Sequence, residues 1–248
     1  MRVLVLNANT NAAMTAHVLA AARRLAPDIE FGGATGRFGA THIGTRATYV
    51  IAAHAALDCY AAQTERFDAV ILACFGDPGL GALQNIADVP VFGLAEAACR
   101  STAKQRRPFS IVTGGERWIG LLQGYLASVG LTEWLASIRV VDTTGSQILA
   151  DPRGSLDALA GAARLAATDD GAECVILGGA GLIGLAARIA ADVPVPLVDC
   201  LDPAIAAARS AVPIPPRAVR GADLGTVAFD GIERDLADLL AADIARGS

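Results

Sequence analysis

Short runs of apolar, mostly branched side chains alternate along the chain with longer alanine-rich stretches. Runs of this kind, bounded by turn residues, are typical of strands that are buried on both faces. The predicted strands are RVLVLN at 2–7, DAVILA at 68–73, PVFGLA at 90–95, FSIVTG at 109–114, CVILGG at 174–179 and VPLVDC at 195–200.

The stretches between these runs space their apolar residues three and four positions apart, which favours amphipathic helices. The predicted helices cover residues 14–26, 49–67, 119–130 and 155–171. Strands that alternate with helices indicate βαβ units and parallel sheets covered by helices on both faces. The pattern therefore predicts an α/β fold.

One unit of the chain occurs twice. The segment 67–103 aligns with 172–208, and each copy has an acidic residue, VIL, a small-residue turn, a helix, ADVPV and a second strand. The repeat predicts two pseudo-symmetric lobes, each with a short parallel sheet flanked by helices. We assign 1–98 plus 209–248 to the first lobe and 99–208 to the second. The ligand site is expected in the cleft between them, where strand ends meet.

The repeat pairs Cys74, in ILACFG, with Gly179, in ILGGAG. A thiol just past a buried strand and ahead of a helix meets backbone N–H groups, which would favour a thiolate and a depressed pKa. The alternative is a packed core cysteine, because free cysteine is among the most buried residue types. Cys200 ends the strand VPLVDC and could reach the same cleft.

Composition narrows the classes of partner. The chain has 248 residues, 53% hydrophobic and 18% charged, with a net charge of −5 and no long basic run. Neither nucleic acid nor a membrane is an expected partner, and no segment reaches the roughly 20 unbroken apolar residues of a membrane helix. The five cysteines are scattered and odd in number, which favours reduced thiols and a cytoplasmic location.

Two kinds of cofactor chemistry lack suitable residues. The single lysine, Lys104, lies beside QRR in a surface-like helix end, which is a poor position for a pyridoxal phosphate Schiff base. The three histidines, His17, His42 and His54, stand in unrelated contexts without metal-ligand spacing. We therefore expect no cofactor and no metal.

The segment GGAGLIG allows a different reading. Gly179, Gly181 and Gly184 form GxGxxG after a predicted strand, and Asp199 follows at the spacing of a dinucleotide-binding fingerprint. A dinucleotide-binding oxidoreductase is therefore an alternative. The short following helix and the two prolines of VPVPLVDC disfavour it, and the repeat explains the glycines as a tight turn.

Four segments, LNANTNAAMT, ACFGDPGL, VPVFGLAEAA and VILGGAGLIGLA, resemble the aspartate/glutamate racemase superfamily, and specifically its hydantoin racemase branch. The resemblance implies two lobes around a cofactor-independent site, with one cysteine from each lobe on opposite faces of an acidic C–H carbon. It assigns Cys74 as the first-lobe cysteine. The second cysteine is expected in LGCAG, where this chain has Gly179.

The resemblance implies proton transfer next to a carbonyl of a hydantoin- or amino-acid-like substrate, in a homo-oligomer that binds a small carboxylate or hydantoin. A single cysteine also resembles arylmalonate decarboxylase, so a one-base decarboxylase is an alternative, and a non-catalytic binding protein is another. Asn9 and Thr113 either cap helices or contact the ligand. The catalytic positions are Cys74 and Gly179, and the expected substrate contacts are Asn9, Phe75, Gly76, Thr113, Ala180 and Gly181.

Overall fold

The structure is a computed structural model that describes residues 1–211 and 229–246, with side chains described up to 241. Its first sheet is parallel and has the strand order β2-β1-β3-β4. The strands are β1 (Arg2–Asn7), β2 (Glu30–Thr35), β3 (Ala69–Leu72) and β4 (Val91–Gly93). The helices that accompany them are α1 (Ala12–Leu25), α2 (Arg46–Ala61), α3 (Leu80–Ile86) and α4 (Leu94–Ala103).

The second sheet is also parallel and has the order β6-β5-β7-β8, which repeats the order of the first. Its strands are β5 (Phe109–Gly114), β6 (Leu135–Val141), β7 (Cys174–Leu177) and β8 (Leu197–Asp199). Six further helices are α5 (Trp118–Ser128), α6 (Gly145–Ala150), α7 (Leu156–Thr168), α8 (Ala186–Ile189), α9 (Leu201–Arg209) and α10 (Arg234–Arg246). Single 3-10 turns occupy Thr132–Trp134, Ala180–Leu182 and Ala190–Asp192.

The matching strand orders confirm the predicted α/β fold with two pseudo-symmetric lobes. The central strands β1, β3, β5 and β7 carry the core, and Val3, Ile71, Ile111 and Ile176 are fully buried. The third strand of each lobe in sequence is β3 in the first lobe and β7 in the second. Cys74 lies two residues after the end of β3, and Gly179 lies two residues after the end of β7.

The last helices pack on the first lobe. Helix α10 contacts α2 and α3, and α9 packs on α4 and against β3 and β4. Because α9 begins at Leu201, part of the segment assigned to the second lobe lies against the first sheet. The division into 1–98 plus 209–248 and 99–208 stays a prediction. Within the described ranges, no helix combines the length and apolar character needed to cross a membrane.

Candidate active site

A cavity of about 60 Å³ lies where the carboxyl ends of the two sheets meet. This edge is where open parallel α/β sheets bind ligands, in the crevice outside the carboxyl ends of their strands. The first lobe lines it with Asn9, Met14, His42, Ile43, Ala73, Cys74 and Phe75. The second lobe lines it with Thr113, Gly114, Trp118, Gly145, Ser146, Gly178, Gly179, Ala180, Gly181 and Leu182.

All but one of the residues that the sequence assigns to the site line this cavity. The exception is Gly76, whose carbonyl accepts a hydrogen bond from the hydroxyl of Tyr49. Gly76 has φ +107, and a Cβ there would lie 2.8 Å from Cζ3 of Trp118. Gly76 therefore shapes the loop under Trp118, and its role in substrate binding stays a prediction.

A tight turn after β3 holds Cys74 at the cavity. The N–H of Ala73 donates to the carbonyl of Leu6 at 2.7 Å, and the N–H of Asp77 donates to the carbonyl of Cys74 at 2.9 Å. Asp77 itself has φ +53, in the left-handed region that residues other than glycine seldom occupy. The chain therefore reverses directly after the strand, with the thiol beside the cavity.

The Asp77 carboxylate connects this turn to two other elements. It accepts hydrogen bonds from the N–H groups of Ala95 at 3.0 Å and Glu96 at 2.6 Å, in the first turn of α4. It also accepts one from the hydroxyl of Tyr125, on α5 of the second lobe, at 2.8 Å. Burial raises the pKa of Asp77 to about 7, although these three donors favour the charged form. The cysteine turn is thus fixed to both lobes.

Cys74 is a thiol, not a thiolate, at neutral pH. Burial raises the pKa of its thiol, and the nearby Asp77 carboxylate raises it further. The depressed pKa expected from the sequence is therefore wrong. That prediction considered only the backbone dipoles after the strand. Desolvation and the buried Asp77 carboxylate both disfavour a negative charge on the Cys74 sulfur.

This protonation state predicts how Cys74 reacts with iodoacetamide. Below the pKa of a thiol, the reactive thiolate fraction rises about tenfold per pH unit. We therefore expect alkylation of Cys74 to keep accelerating above pH 9, where an ordinary thiol levels off. Peptide mapping by mass spectrometry between pH 7 and 10 measures this, and only Cys74 among the five cysteines should be protected by 5-methylhydantoin, because only it lines the cavity. A rate that levels off below pH 8 would contradict the raised pKa.

Gly179 occupies the equivalent place in the second lobe. The N–H of Leu182 donates to its carbonyl at 2.9 Å, and its φ of 161° and ψ of 137° describe extended backbone. A Cβ built there would lie 2.9 Å from Cδ1 of Leu182 and 3.9 Å from Oγ1 of Thr113. A side chain at this position therefore needs only a shift of the end of Leu182.

Neighbouring glycines allow the loops around the cavity to approach closely. A Cβ at Gly178 would lie 2.5 Å from Cε1 of Phe75, so the aromatic ring from the first lobe packs on the second-lobe turn. A Cβ at Gly181 would lie 2.1 Å from the carbonyl oxygen of Gly145, at the start of α6. The cavity walls therefore depend on glycine at both places.

Cys200 does not line the cavity. It is fully buried, and its Sγ donates weakly to the carbonyl oxygen of Gly179 at 3.8 Å. Burial raises the pKa of this thiol well above its ordinary value, and the nearby Asp199 raises it further. Cys200 thus lies behind the Gly179 turn, and the expectation that it reaches the cleft is not met.

Asn9 and its neighbours form a polar network at the end of β1. Oδ1 of Asn9 accepts hydrogen bonds from Nδ2 of Asn7 at 2.9 Å and from the N–H of Asn11 at 2.8 Å. Asn11, not Asn9, is the N-cap of α1. Because Oδ1 of Asn9 is occupied twice, its amide Nδ2 is the atom with which Asn9 can donate to a ligand.

The structure adds His42 to the site. The loop after β2 carries it, and the N–H of Thr10 fixes this loop by donating to the carbonyl of Ala40 at 3.1 Å. His42 is half-buried at the cavity, and burial lowers the pKa of its imidazole. No local motif marks His42 in the sequence, because the loop after β2 lies outside the repeated unit.

The family model described as Asp/Glu/Hydantoin racemase matches residues 3–211. The chain belongs to this family. It is 33% identical over 222 residues to a hydantoin racemase from Paenarthrobacter aurescens, covering 86% of this chain and 91% of that one. An allantoin racemase structure from Pseudomonas fluorescens has a TM-score of 0.81 and 35% identity, covering 85% of this chain and 90% of that one.

A structure of arylmalonate decarboxylase shares the fold at 16% identity, with a TM-score of 0.59 over 84% of this chain and 91% of that one. The match to the Asp/Glu/Hydantoin racemase model confirms, at the level of the family, the resemblance seen in ACFGDPGL and VILGGAGLIGLA.

The geometry of the GGAGLIG segment does not fit a bound dinucleotide, which agrees with membership of the racemase family. Gly179 leads into one 3-10 turn and then into α8, which has only four residues. A diphosphate needs the N-terminus of a longer helix directly after the strand. The Asp199 carboxylate accepts hydrogen bonds from the N–H groups of Gly184 and Leu201, so it braces this turn. The geometry contradicts the oxidoreductase alternative.

Proposed function

We propose that this member of the racemase family transfers a proton at a carbon next to a carbonyl of a hydantoin-like ring, with Cys74 as the acid/base residue. The observation that carries the proposal is that Cys74 and Gly179 follow equivalent strands and line one cavity. We call the side of the substrate carbon toward Cys74 the thiol face, and the opposite side the glycine face.

Removing such a proton leaves negative charge on the neighbouring carbonyl oxygen. Donors that are already oriented stabilise this enolate more than flexible ones, because they need no rearrangement in the transition state. The amide of Asn9, the hydroxyl of Thr113 and the backbone N–H groups of Phe75, Ala180 and Gly181 are candidates for this role at the cavity. No cofactor is part of the proposal.

The two faces differ in their chemistry. The thiol of Cys74 can return a proton to the enolate, and as a thiolate it can remove one. Gly179 offers no side chain to the glycine face. We therefore expect proton exchange at the thiol face to be faster than racemisation, because inversion needs a proton on both faces.

Deuterium exchange tests the substrate class. Each enantiomer of 5-methylhydantoin, and separately L- and D-aspartate, is incubated with the protein in D₂O near pH 7, and loss of the C–H signal is followed by NMR. We expect exchange of the hydantoin above the blank without enzyme, and much less exchange of aspartate. Exchange of neither compound would contradict the proposed function and would favour a non-catalytic binding protein.

A second candidate is decarboxylation that gives a single enantiomer. The observation in its favour is a protonated Cys74 across the cavity from a glycine, which leaves space for a departing group. Loss of CO₂ from a disubstituted malonate would leave an enediolate that Cys74 protonates at the thiol face. Methyl(phenyl)malonic acid tests it, since CO₂ release with one enantiomer in excess would favour the decarboxylase.

A further inference from the structure

Slow racemisation still requires a proton on the glycine face. Among the described residues that line the cavity, only Cys74 and His42 have side chains that ordinarily titrate between pH 5 and 9. The hydroxyls of Thr113 and Ser146 are far weaker acids and bases. Cys200 lies behind the Gly179 turn and does not line the cavity.

We propose that His42 removes and supplies the proton on the glycine face, in place of the second thiol. This inference rests on the proposed function, because it assigns the second half of the same proton transfer. The local sequence around His42 does not mark this residue as functional.

The strand order gives His42 a separate approach to the substrate. Cys74 follows β3 and His42 lies in the loop after β2, with β1 between these two strands. Neighbouring strands lie about 4.8 Å apart, so the strands that carry the two residues are about 10 Å apart. Both side chains nevertheless line one small cavity. A ligand carbon between them can therefore be approached from two directions.

The protonation states of the two groups complement each other. Burial lowers the pKa of His42, so its imidazole is neutral at neutral pH and can accept a proton, while Cys74 is a thiol that can donate one. In one direction, the imidazole takes the C–H proton as an imidazolium, and the bond electrons form the enolate. The enolate carbon then takes the S–H proton on the other face, leaving a thiolate.

The reverse direction starts from this thiolate and imidazolium. The thiolate takes the C–H proton on the thiol face, and the imidazolium returns its proton on the glycine face. One proton is thus shared between two groups, and no oxidant, reductant or co-reactant is needed. Such an arrangement meets the requirement of racemisation for one acid and one base at a time.

The chain offers a way to displace the imidazole without removing it. A Cβ built on Gly44 would lie 2.9 Å from Nε2 and 3.2 Å from Cδ2 of His42. The φ of Gly44 is not in the left-handed region, so Gly44→Ala causes no backbone strain. Its methyl group would press on the ring directly.

The experiment compares two rates for each enantiomer of 5-methylhydantoin in D₂O, namely the exchange of the C–H and the loss of optical rotation. The variants are His42→Gln, Gly44→Ala and the control His54→Gln. His54 is an exposed histidine of α2 that does not line the cavity. Thermal unfolding confirms that each variant is folded.

We expect His42→Gln to lower racemisation at least about tenfold, because it removes the group that takes and returns the proton on the glycine face. Gly44→Ala should lower racemisation in the same direction, and His54→Gln should change neither rate. Unchanged racemisation in His42→Gln, an equal fall of racemisation in the control His54→Gln, or no racemisation by the unmodified protein would each overturn the assignment. If the unmodified protein shows no Cys74-dependent exchange, the proposed function itself is wrong, whatever the role of His42.

Discussion

Replacing Cys74 by serine is expected to slow deuterium exchange at the thiol face at least about a hundredfold, the low end for loss of a general acid/base. A hydroxyl is a far weaker acid than a thiol, and Cys74 is the one cysteine that lines the cavity. The small change in size leaves the turn closed by Asp77 intact. Exchange of each enantiomer of 5-methylhydantoin, followed by NMR at saturating substrate, gives the rate.

Cys59→Ser is the matched control for this variant. Cys59 is a buried thiol of α2 in the same lobe, but it does not line the cavity. Its replacement should leave exchange within about twofold, provided that thermal unfolding shows a folded protein. A Cys74→Ser protein with full exchange activity would remove Cys74 from the mechanism, whatever the control shows.

Replacing Gly179 by cysteine is expected to accelerate racemisation at least about tenfold, equivalent to about 1.4 kcal/mol off the barrier. The new thiol would stand where the family resemblance implies a second cysteine, and it would offer an acid/base to the glycine face. The extended backbone at Gly179 accepts a side chain, and only the end of Leu182 has to move. Polarimetry on each enantiomer measures the change.

Two controls separate the thiol from the effect of added volume. Gly179→Ala adds the Cβ without an acid, so it should not accelerate racemisation. Gly178→Cys places a thiol one residue away, where its Cβ would collide with the Phe75 ring 2.5 Å away, so it should not accelerate racemisation either. Equal rates for Gly179→Cys and the unmodified protein would mean that the glycine face already has a full-strength acid.

The sequence predicted the central strands well because their apolar runs are dense. The bounds of β1 and β5 agree with the predicted strands, and both are buried. The pattern missed β2 and β6. In β2, Gly32 and Gly33 interrupt the apolar run because Phe67 and Leu19 pack on their backbone, where a Cβ would lie 2.6 and 2.4 Å away. Strand β6 lies at the sheet edge and is mostly half-buried, and the polar residues Ser137 and Arg139 interrupt its apolar run.

The repeat predicted the part of the site that lies inside it. It paired Cys74 with Gly179, and both line the cavity at equivalent strand ends. His42, Trp118 and Ser146 also line the cavity, but the loop after β2 and the helices α5 and α6 that carry them lie outside the repeated unit. Tertiary structure alone brings these segments over the strand ends.

The charge state of the thiol could not be predicted from the sequence. Local position favoured a thiolate at a strand end. Burial of the thiol raises its pKa most, and Asp77, three residues along the chain, raises it further. The burial of Asp77 in turn depends on contacts with Ala95, Glu96 and Tyr125 in distant elements. A pattern of nearby residues carries no information about such a contact.

The central claim is that one strong acid/base, Cys74, serves only one face of the substrate. Its most direct test follows deuterium content and optical rotation together, for each enantiomer of 5-methylhydantoin, in one sample of the unmodified protein in D₂O. We expect the enantiomer whose C–H faces Cys74 to gain deuterium with retention at least about tenfold faster than its rotation falls. Exchange and loss of rotation at equal rates for both enantiomers would contradict the claim.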